Sequence, residues 1–177
     1  MKLINEKLEF LSRQDQLTNI FNRRGFELAT QKVFKLAVRN KNTVTFAVLD
    51  VDNFKFINDS LGHSAGDKCL EFIGERLRDI FKRDTDFVGR YGGEEFVVLI
   101  AEGTGDMHLD LLERLRASIE SGRVPYEGQQ VKMTVSIGAY TLSEDFSLSY
   151  EGIIKKADDL LYISKRSGKN KITHKEQ

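Results

Sequence analysis

Two pairs of acidic residues stand beside apolar segments that have the composition of buried strands. Asp50 and Asp52 follow the segment TVTFAVL, and Glu94 and Glu95 precede the segment FVVLI. Because side chains alternate along a strand, Asp50 and Asp52 share one face if the strand continues that far. Carboxylates brought together repel one another unless a cation or protons intervene. The pattern therefore indicates a site for Mg²⁺, which takes one or two carboxylates and completes its shell with water and phosphate oxygens.

A purely structural interpretation of the same residues stays open at this point. The acids of DVD can cap the helix that follows, and the paired glutamates can belong to a solvated turn. Gly92 and Gly93 suit a tight hairpin turn with positive φ, and equally a close approach of the backbone to a phosphate or a base. Taken alone, these residues support a metal and phosphate site without naming a substrate.

The elements that must position these residues can be predicted from periodicity. Apolar residues at helical spacing predict long helices over 22–40, 65–81, 106–121 and 150–168, with loop and a short helix over 53–67. Strands are predicted over 43–50, 86–91, 95–103, 130–141 and 170–173, the second and third forming a hairpin around Gly92-Gly93. Interleaved strands and helices predict an α/β (α+β) domain with a mixed central sheet and surrounding helices. The acids are then expected at the carboxyl end of strand 43–50, where open sheets bind ligands.

Composition limits the class of protein further. The chain has 177 residues with 27 basic and 27 acidic side chains, so we expect one domain and no global field that recruits nucleic acid or a membrane. Cys69 is the single cysteine, and its apolar setting predicts a buried thiol in a reducing cytoplasm. No apolar run approaches the roughly 18 residues of a membrane span. Residues 1–12 are predicted to form a helical connector, with Leu3, Ile4, Leu8 and Leu11 on one face.

Several motifs resemble, in order, those of the GGDEF family, the diguanylate cyclases. The segment RYGGEEF (90–96) is similar to the family signature, and further similar elements are DQLTNIFNRR (15–24), DVDNFKFIND (50–59), LGHSAGD (61–67) and SKRSGKN (164–170). The resemblance implies a catalytic domain over 13–177 with a palm-like fold, as in nucleotidyl cyclases and polymerases. The implied reaction condenses two GTP into cyclic di-GMP and releases two pyrophosphates, in a homodimer whose protomers each hold one GTP.

The resemblance also implies roles for the acids. Asp50, the Val51 carbonyl and Glu94 are expected to bind Mg²⁺ or Mn²⁺, two ions per active site, which assist attack of a ribose 3′-hydroxyl on an α-phosphate. Glu95 is expected to help deprotonate or position that hydroxyl, although a metal-bound hydroxide can do so alone. Asp50, Glu94 and Glu95 are thus the expected catalytic residues.

Other positions are implied to bind GTP. Asn58 and Asp67 match the guanine-reading pair, since a carboxylate accepts from the N1–H and amino group that adenine lacks; a turn residue and a helix N-cap are the structural alternatives. Lys165 and Lys169 match the triphosphate-binding positions, but arginine is usual at the second, so Lys169 offers no bidentate fork. The resemblance also implies that Phe54, Gly92 and Gly93 bind GTP. The apolar pattern alone favours packing roles for Phe54 and Phe56.

A separate inhibition site is implied upstream of the signature. Arg83 and Asp86 form an R-x-x-D motif in the family's register for cyclic di-GMP, and Arg114 matches a secondary arginine; charged residues on solvated helix ends are the alternative. The expected partners are GTP, cyclic di-GMP as product and inhibitor, a second copy of the chain and an upstream sensor or dimerisation domain. Nucleic acid and membrane contacts are not expected, and a bacterial cytoplasmic location is. A degenerate domain that only binds GTP or cyclic di-GMP would lack a metal acid or a turn glycine, and none is missing.

Overall fold

A computed structural model describes residues 13–177, and the predicted connector over 1–12 lies outside these residues. The helices of the described part are α1 (Arg23–Asn40), α2 (Phe54–Leu61), α3 (His63–Ile80), α4 (Gly105–Ser121) and α5 (Tyr150–Arg166). The strands of that part are β1 (Phe21–Asn22), β2 (Val44–Val51), β3 (Asp86–Gly92), β4 (Glu95–Ile100), β5 (Val124–Tyr126), β6 (Gln129–Val131), β7 (Val135–Leu142) and β8 (Ile172–Glu176). The four long predicted helices and the hairpin around Gly92-Gly93 are confirmed.

Six strands form the central sheet in the order β1-β3-β4-β2-β7-β8. The inner strands pair antiparallel, whereas β1 joins β3 and β8 joins β7 in parallel. The sheet is therefore mixed, as the sequence predicts, and its centre is β2, every residue of which is buried.

Helices cover both faces of the sheet, which is why β2 is apolar on both sides. Ala47, Leu49 and Val51 pack in one core with α2, α3 and α4. Phe46 and Val48 pack in a second core with α1 and α5. By alternation, Asp50 lies on the face that α1 and α5 cover, so α5 is the element that can reach it.

The longest predicted strand, 130–141, is wrong in its first half. Residues 124–131 form a separate two-stranded hairpin, β5–β6, in which Val124 pairs with Val131. The chain leaves strand geometry at 132–134 before β7 begins. Pro125 lies in β5, as proline can in an edge strand. The two-residue strand β1 was not predicted, and β8 begins later than the predicted 170–173 segment.

A chain of polar side chains crosses the core between α4 and the sheet. His108 Nδ1 lies 2.7 Å from Thr45 Oγ1, which lies 2.7 Å from Thr141 Oγ1, and Thr141 Oγ1 lies 2.9 Å from His174 Nε2. His108 Nε2 lies 3.0 Å from the carbonyl oxygen of Glu102. These contacts satisfy the polar atoms of three fully buried residues.

Two further sequence predictions concern burial. Cys69 is fully buried, and burial raises the pKa of its thiol to about 11, which confirms a structural cysteine. Within residues 13–177, none of the helices has the length and apolar composition to cross a bilayer.

Candidate functional site

The end of β2 and the β3–β4 turn bring the predicted acids together. Asp50 is the direct cross-strand partner of Glu95 in the β2–β4 ladder. One residue further on, the amide of Val51 donates to the carbonyl oxygen of Glu94 at 3.3 Å. Asp50 is buried, Glu94 is half-buried and Glu95 is exposed. Residues more than 40 positions apart in the chain thus line one end of the sheet.

Asp50 also forms an ion pair with a lysine of α5, the helix that packs over this face of the sheet. Lys165 Nζ, near the end of α5, lies 2.8 Å from Asp50 Oδ2. Burial raises the pKa of Asp50, the Lys165 ammonium lowers it, and the nearby Glu94 and Glu95 raise it further, so the pKa lies above the ordinary value. Lys165 therefore compensates only part of the negative charge that Asp50, Glu94 and Glu95 bring to this end of the sheet.

Asp52 has a different role from the one that its spacing suggests. Its carboxylate accepts from Thr134 Oγ1 at 2.7 Å, from Ser136 Oγ at 2.6 Å and from the amide of Asn170 at 3.0 Å. Across residues 13–177 no group of three or more His, Cys, Asp or Glu is arranged to hold a metal ion. Asp50, Glu94 and Glu95 therefore lie together without Asp52, and the expectation that Asp52 joins them is wrong, because its carboxylate is committed to hydrogen bonds with the sheet and the loop after α5.

The remaining oxygen donors still suit magnesium. Asp50 and Glu94 supply two carboxylates, and Val51, the last residue of β2, supplies a backbone carbonyl. This donor set contains oxygen alone and fits the preference of Mg²⁺ for one or two carboxylates with water and phosphate oxygens as further ligands. The repulsion from Glu94 and Glu95 that raises the pKa of Asp50 would be relieved by a cation.

The glycine turn is required by its backbone conformation and not by crowding. Gly92 and Gly93 have φ values of +151° and +51°, and a Cβ at either position would meet nothing within 4 Å. The Gly93 carbonyl accepts from Arg90 Nε at 3.0 Å and Nη2 at 2.8 Å. Arg90 Nη1 in turn donates to both Asp15 carboxylate oxygens, at 3.1 and 3.2 Å. Arg90 and Asp15 therefore tie the turn to the segment before β1.

Asp15 and Arg90 were not identified as site residues from the sequence, although both lie in motifs that carry the resemblance. Burial raises the pKa of Asp15, but hydrogen bonds from Thr18 and Arg90 lower it below the ordinary value. The ionised carboxylate is thus the form that the fold stabilises. The sequence offered one indication of this pair: an acid in DQLT and an arginine two residues before the glycines, which have opposite charges.

The two predicted guanine-reading residues lie on adjacent helices. Asn58 belongs to α2 and Asp67 to α3, whose N-cap is Gly62, so neither is the turn residue or N-cap of the alternative interpretation. A Cβ on Gly66 would lie 2.0 Å from Asn58 Oδ1, which puts the amide against the backbone beside Asp67. Asn58 Oδ1 is buried and no described residue donates to it, while Asp67 is exposed. An unused acceptor in this position suits a ligand with N–H groups.

The two phenylalanines of the same motif separate in their environments. Phe54 is 8% exposed and packs in the core with α3, which confirms its packing role. Phe56 is 71% exposed, so its predicted packing role is wrong. In a short amphipathic helix such as α2, residues two apart point to different sides.

Lys169 lies in the loop after α5. Lys169 Nζ donates to Asn53 Oδ1 at 2.5 Å, next to the end of β2.

The R-x-x-D residues form a tight turn at the start of β3. The amide of Asp86 donates to the Arg83 carbonyl at 3.0 Å, and Arg83 Nη1 donates to the Glu102 carbonyl at 3.2 Å. One oxygen of Asp86, Oδ1, is buried and has no hydrogen-bond partner among the described residues. Arg114 is exposed on α4, a different element.

Comparison with known proteins gives a consistent result. A family model described as "Diguanylate cyclase, GGDEF domain" matches residues 12–171. Diguanylate cyclase A of Treponema denticola is 37% identical over 133 residues, which cover 75% of this chain and 35% of that protein. Diguanylate cyclase DosC of Escherichia coli is 34% identical over 175 residues, covering 96% of this chain and 37% of that protein. The chain thus spans about a third of the length of these relatives.

Solved structures show the same architecture. The coiled coil and GGDEF domain of DgcB from Caulobacter crescentus, solved in complex with c-di-GMP, superimposes with a TM-score of 0.88 at 28% identity, covering 98% of this chain and 93% of that one. The fold is therefore the palm-like α/β fold of nucleotidyl cyclases. The chain belongs to the GGDEF diguanylate cyclase domain family.

Proposed function

We propose that this domain is a diguanylate cyclase that condenses two GTP into cyclic di-GMP and two pyrophosphates. The observation that carries the proposal is the convergence of Asp50, Glu94 and Glu95 across the β2–β4 ladder, with Lys165 on Asp50. Acids and a lysine at one strand end suit a triphosphate and the cations that accompany it.

The proposed binding mode uses residues on both sides of this strand end. Asn58 and Asp67 hold the guanine edge, where the unused Asn58 oxygen accepts an N–H of the base. Lys165 and Lys169 contact the triphosphate, and entry of a phosphate frees Lys165 from Asp50. Gly92 and Gly93, which carry no side chains, leave room for the nucleotide to approach the turn.

The chemistry requires a second copy of the domain. Each protomer holds one GTP, and the 3′-hydroxyl of one nucleotide attacks the α-phosphate of the other, with pyrophosphate as the leaving group. Glu95 is the exposed carboxylate beside Asp50 and accepts the proton or orients the hydroxyl. Two Mg²⁺ or Mn²⁺ ions, held by Asp50, Glu94 and the Val51 carbonyl, would supply Lewis-acid stabilisation of the attacking and leaving oxygens.

The activity is tested with the domain fused to a strong dimeriser and incubated with GTP and Mg²⁺, followed by chromatography of the nucleotides. We expect cyclic di-GMP from the wild type, and a loss of at least about a hundredfold for Asp50→Ala and Glu94→Ala, since each removes a group that acts on the reacting phosphate. Asp159→Ala, an exposed acid of α5, is the matched control. A wild-type domain that binds GTP but forms no product would instead be a nucleotide-binding module.

Product inhibition is proposed for the turn that contains Arg83 and Asp86. The unpartnered Asp86 oxygen and the neighbouring guanidinium offer an acceptor and a fork to a guanine base. We expect Arg83→Ala to keep its initial rate and to sustain synthesis at product concentrations that stop the wild type. An unchanged inhibition curve would remove this assignment while leaving the catalytic proposal intact.

A further inference from the structure

The loop that follows α5, residues 167–171, carries Lys169 and follows an unusual backbone path. Gly168, Lys169 and Asn170 have φ values of +113°, +62° and +47°. Left-handed backbone is disfavoured for a lysine, so contacts outside the loop must hold it there. The position of the Lys169 ammonium beside Asn53 depends on that path.

Asn170 connects the loop to the rest of the domain on two sides. Its backbone amide donates to Asp52 at 3.0 Å, and Asp52 is fixed by Thr134 and Ser136 next to the catalytic strand end. Its side chain faces α4 instead, where Nδ2 donates to Glu120 at 2.8 Å and Oδ1 accepts from Arg116 Nη1 at 2.6 Å. Asn170 is thus the link between α4 and the loop that carries Lys169.

Arg116 is itself held firmly. Its side chain is 14% exposed, and its guanidinium donates to Glu113 at 2.6 Å and to Glu120 at 2.8 Å. The hydrogen bonds that Arg116 donates to Glu113, and then to Glu120, raise the pKa of Arg116. A guanidinium fixed by two carboxylates is a preorganised donor for a third group.

We propose that Arg116 is a positioning residue for GTP binding, acting through Asn170 to hold residues 167–171 so that Lys169 meets the triphosphate. This inference rests on the proposed function. Arg116 holds this loop through the side chain of Asn170, the residue next to Lys169. Its effect on nucleotide affinity should therefore pass entirely through Lys169.

A double-mutant cycle tests this dependence. The probe is 3′-deoxy-GTP with Mg²⁺, which cannot react because it lacks the attacking hydroxyl, and its binding is measured by calorimetry. We expect Arg116→Met and Lys169→Met each to weaken binding by about tenfold, the loss of one charge-assisted contact. The double variant should bind no more weakly than Lys169→Met alone, since Arg116 has nothing left to position.

Further variants separate positioning from stability. Arg39→Met, which removes an exposed arginine in the last turn of α1, should leave binding unchanged. Arg116→Lys should recover part of the affinity, and Asn170→Gly, which suits the positive φ, should reproduce the Arg116→Met effect. Amide hydrogen exchange of residues 168–171 should accelerate in Arg116→Met. Additive losses, or unchanged binding in Arg116→Met, would overturn the inference.

Failure of the inference can be told apart from failure of the proposed function. If the dimerised wild type makes cyclic di-GMP and the cycle is additive, only the positioning role of Arg116 is lost. If the wild type binds no 3′-deoxy-GTP and forms no product, the proposed function fails and the inference fails with it.

Discussion

Asp50 is the residue whose environment most clearly favours chemistry over stability. Burial and the neighbouring Glu94 and Glu95 raise its pKa, and Lys165 compensates only in part. A folded-state pKa above the unfolded value means that this group contributes stability below about the ordinary aspartate pKa of 3.8 and loses that contribution as the pH rises. At neutral pH the ionised carboxylate therefore costs stability, as groups in active sites often do.

We expect Asp50→Asn to raise the midpoint of thermal unfolding at neutral pH, without nucleotide or divalent cations, while abolishing product formation. The gain should shrink as the pH is lowered to about 4, because the wild-type carboxyl then becomes neutral as well. Calorimetry across this range measures the effect, with Asp159→Asn on the exposed side of α5 as control. A lower midpoint for Asp50→Asn would show that the Lys165 pair outweighs the cost of burial.

Gly66 leads to a second expectation at this scale. A Cβ there would lie 2.0 Å from Asn58 Oδ1 and 3.1 Å from Phe54 Cζ. Gly66→Ala should push the Asn58 amide aside and raise the KM for GTP more than it lowers kcat, while discrimination against ATP weakens. Steady-state kinetics with both nucleotides measures this, and Gly152→Ala in α5, whose nearest contact is 3.3 Å, is the matched control. Equal kinetics for Gly66→Ala and the wild type would argue against a base-reading role for Asn58.

Individual contacts were predicted less well than residue types. The motifs pointed to Asp50, Glu94 and Lys165, but the Lys165–Asp50 pair joins residues more than 100 positions apart and leaves no trace in spacing. Asp52 was predicted as a further site acid because alternation fixes the face of a side chain and not its partners. Its partner Thr134 lies in the break before β7, which the sequence did not reveal, and its partner Ser136 lies in β7 itself.

At the scale of elements, length decided what could be predicted. The four long helices show their apolar periodicity over several turns, and Asn22, Thr104 and Ser149 cap three of them. The strand β1 and the hairpin β5–β6 have two or three residues per strand, too few for a periodic pattern. Their pairing depends on the sheet edge and the helices nearby, which a local pattern does not contain.

The helix α5 packs against the backbone of β7 at very short range. A Cβ on Gly138 would lie 2.1 Å from the Leu161 amide nitrogen and 2.2 Å from the Ala157 carbonyl oxygen. Backbone atoms cannot move aside as a side-chain tip can, so Gly138→Ala should destabilise the domain by about 3 kcal/mol. Urea unfolding measures this, and Gly152→Ala should be neutral or slightly stabilising. A loss below about 0.5 kcal/mol would mean that α5 shifts freely on the sheet.

That contact also matters for the site, because α5 carries Lys165 and leads into the loop with Lys169. A helix seated directly on the backbone of β7 fixes the distance between these lysines and the end of β2. We expect Gly138→Ala variants that remain folded to lose activity beyond the loss explained by their unfolded fraction.

For the whole molecule, the proposed reaction needs two domains while the described chain provides one. The curated relatives are about three times as long as their match to this chain. In those proteins, segments outside the matched domain can help to bring two domains together. Dimerisation, the upstream sensor and the cytoplasmic location stay predictions from the sequence. In the proposed reaction, residues 13–177 supply one nucleotide site and a second copy of the domain supplies the other.

The polar chain from His174 through Thr141 and Thr45 to His108 has one further consequence. The Glu102 carbonyl can only accept, so His108 carries its hydrogen on Nε2, and every hydroxyl along the row must then donate in the same direction. A second proton on His108 would require every hydroxyl of the row to reverse, and burial lowers the pKa of His108 and of His174 below the ordinary 6.5. Below pH 6.5 these two histidines bind protons in the unfolded chain more readily than in the folded domain, so the folded domain loses stability. Mild acid should therefore loosen the contact of α4 with the sheet before any surface carboxylate titrates. Imidazole resonances followed by NMR during acidification would record that order, and a surface-first transition would contradict it.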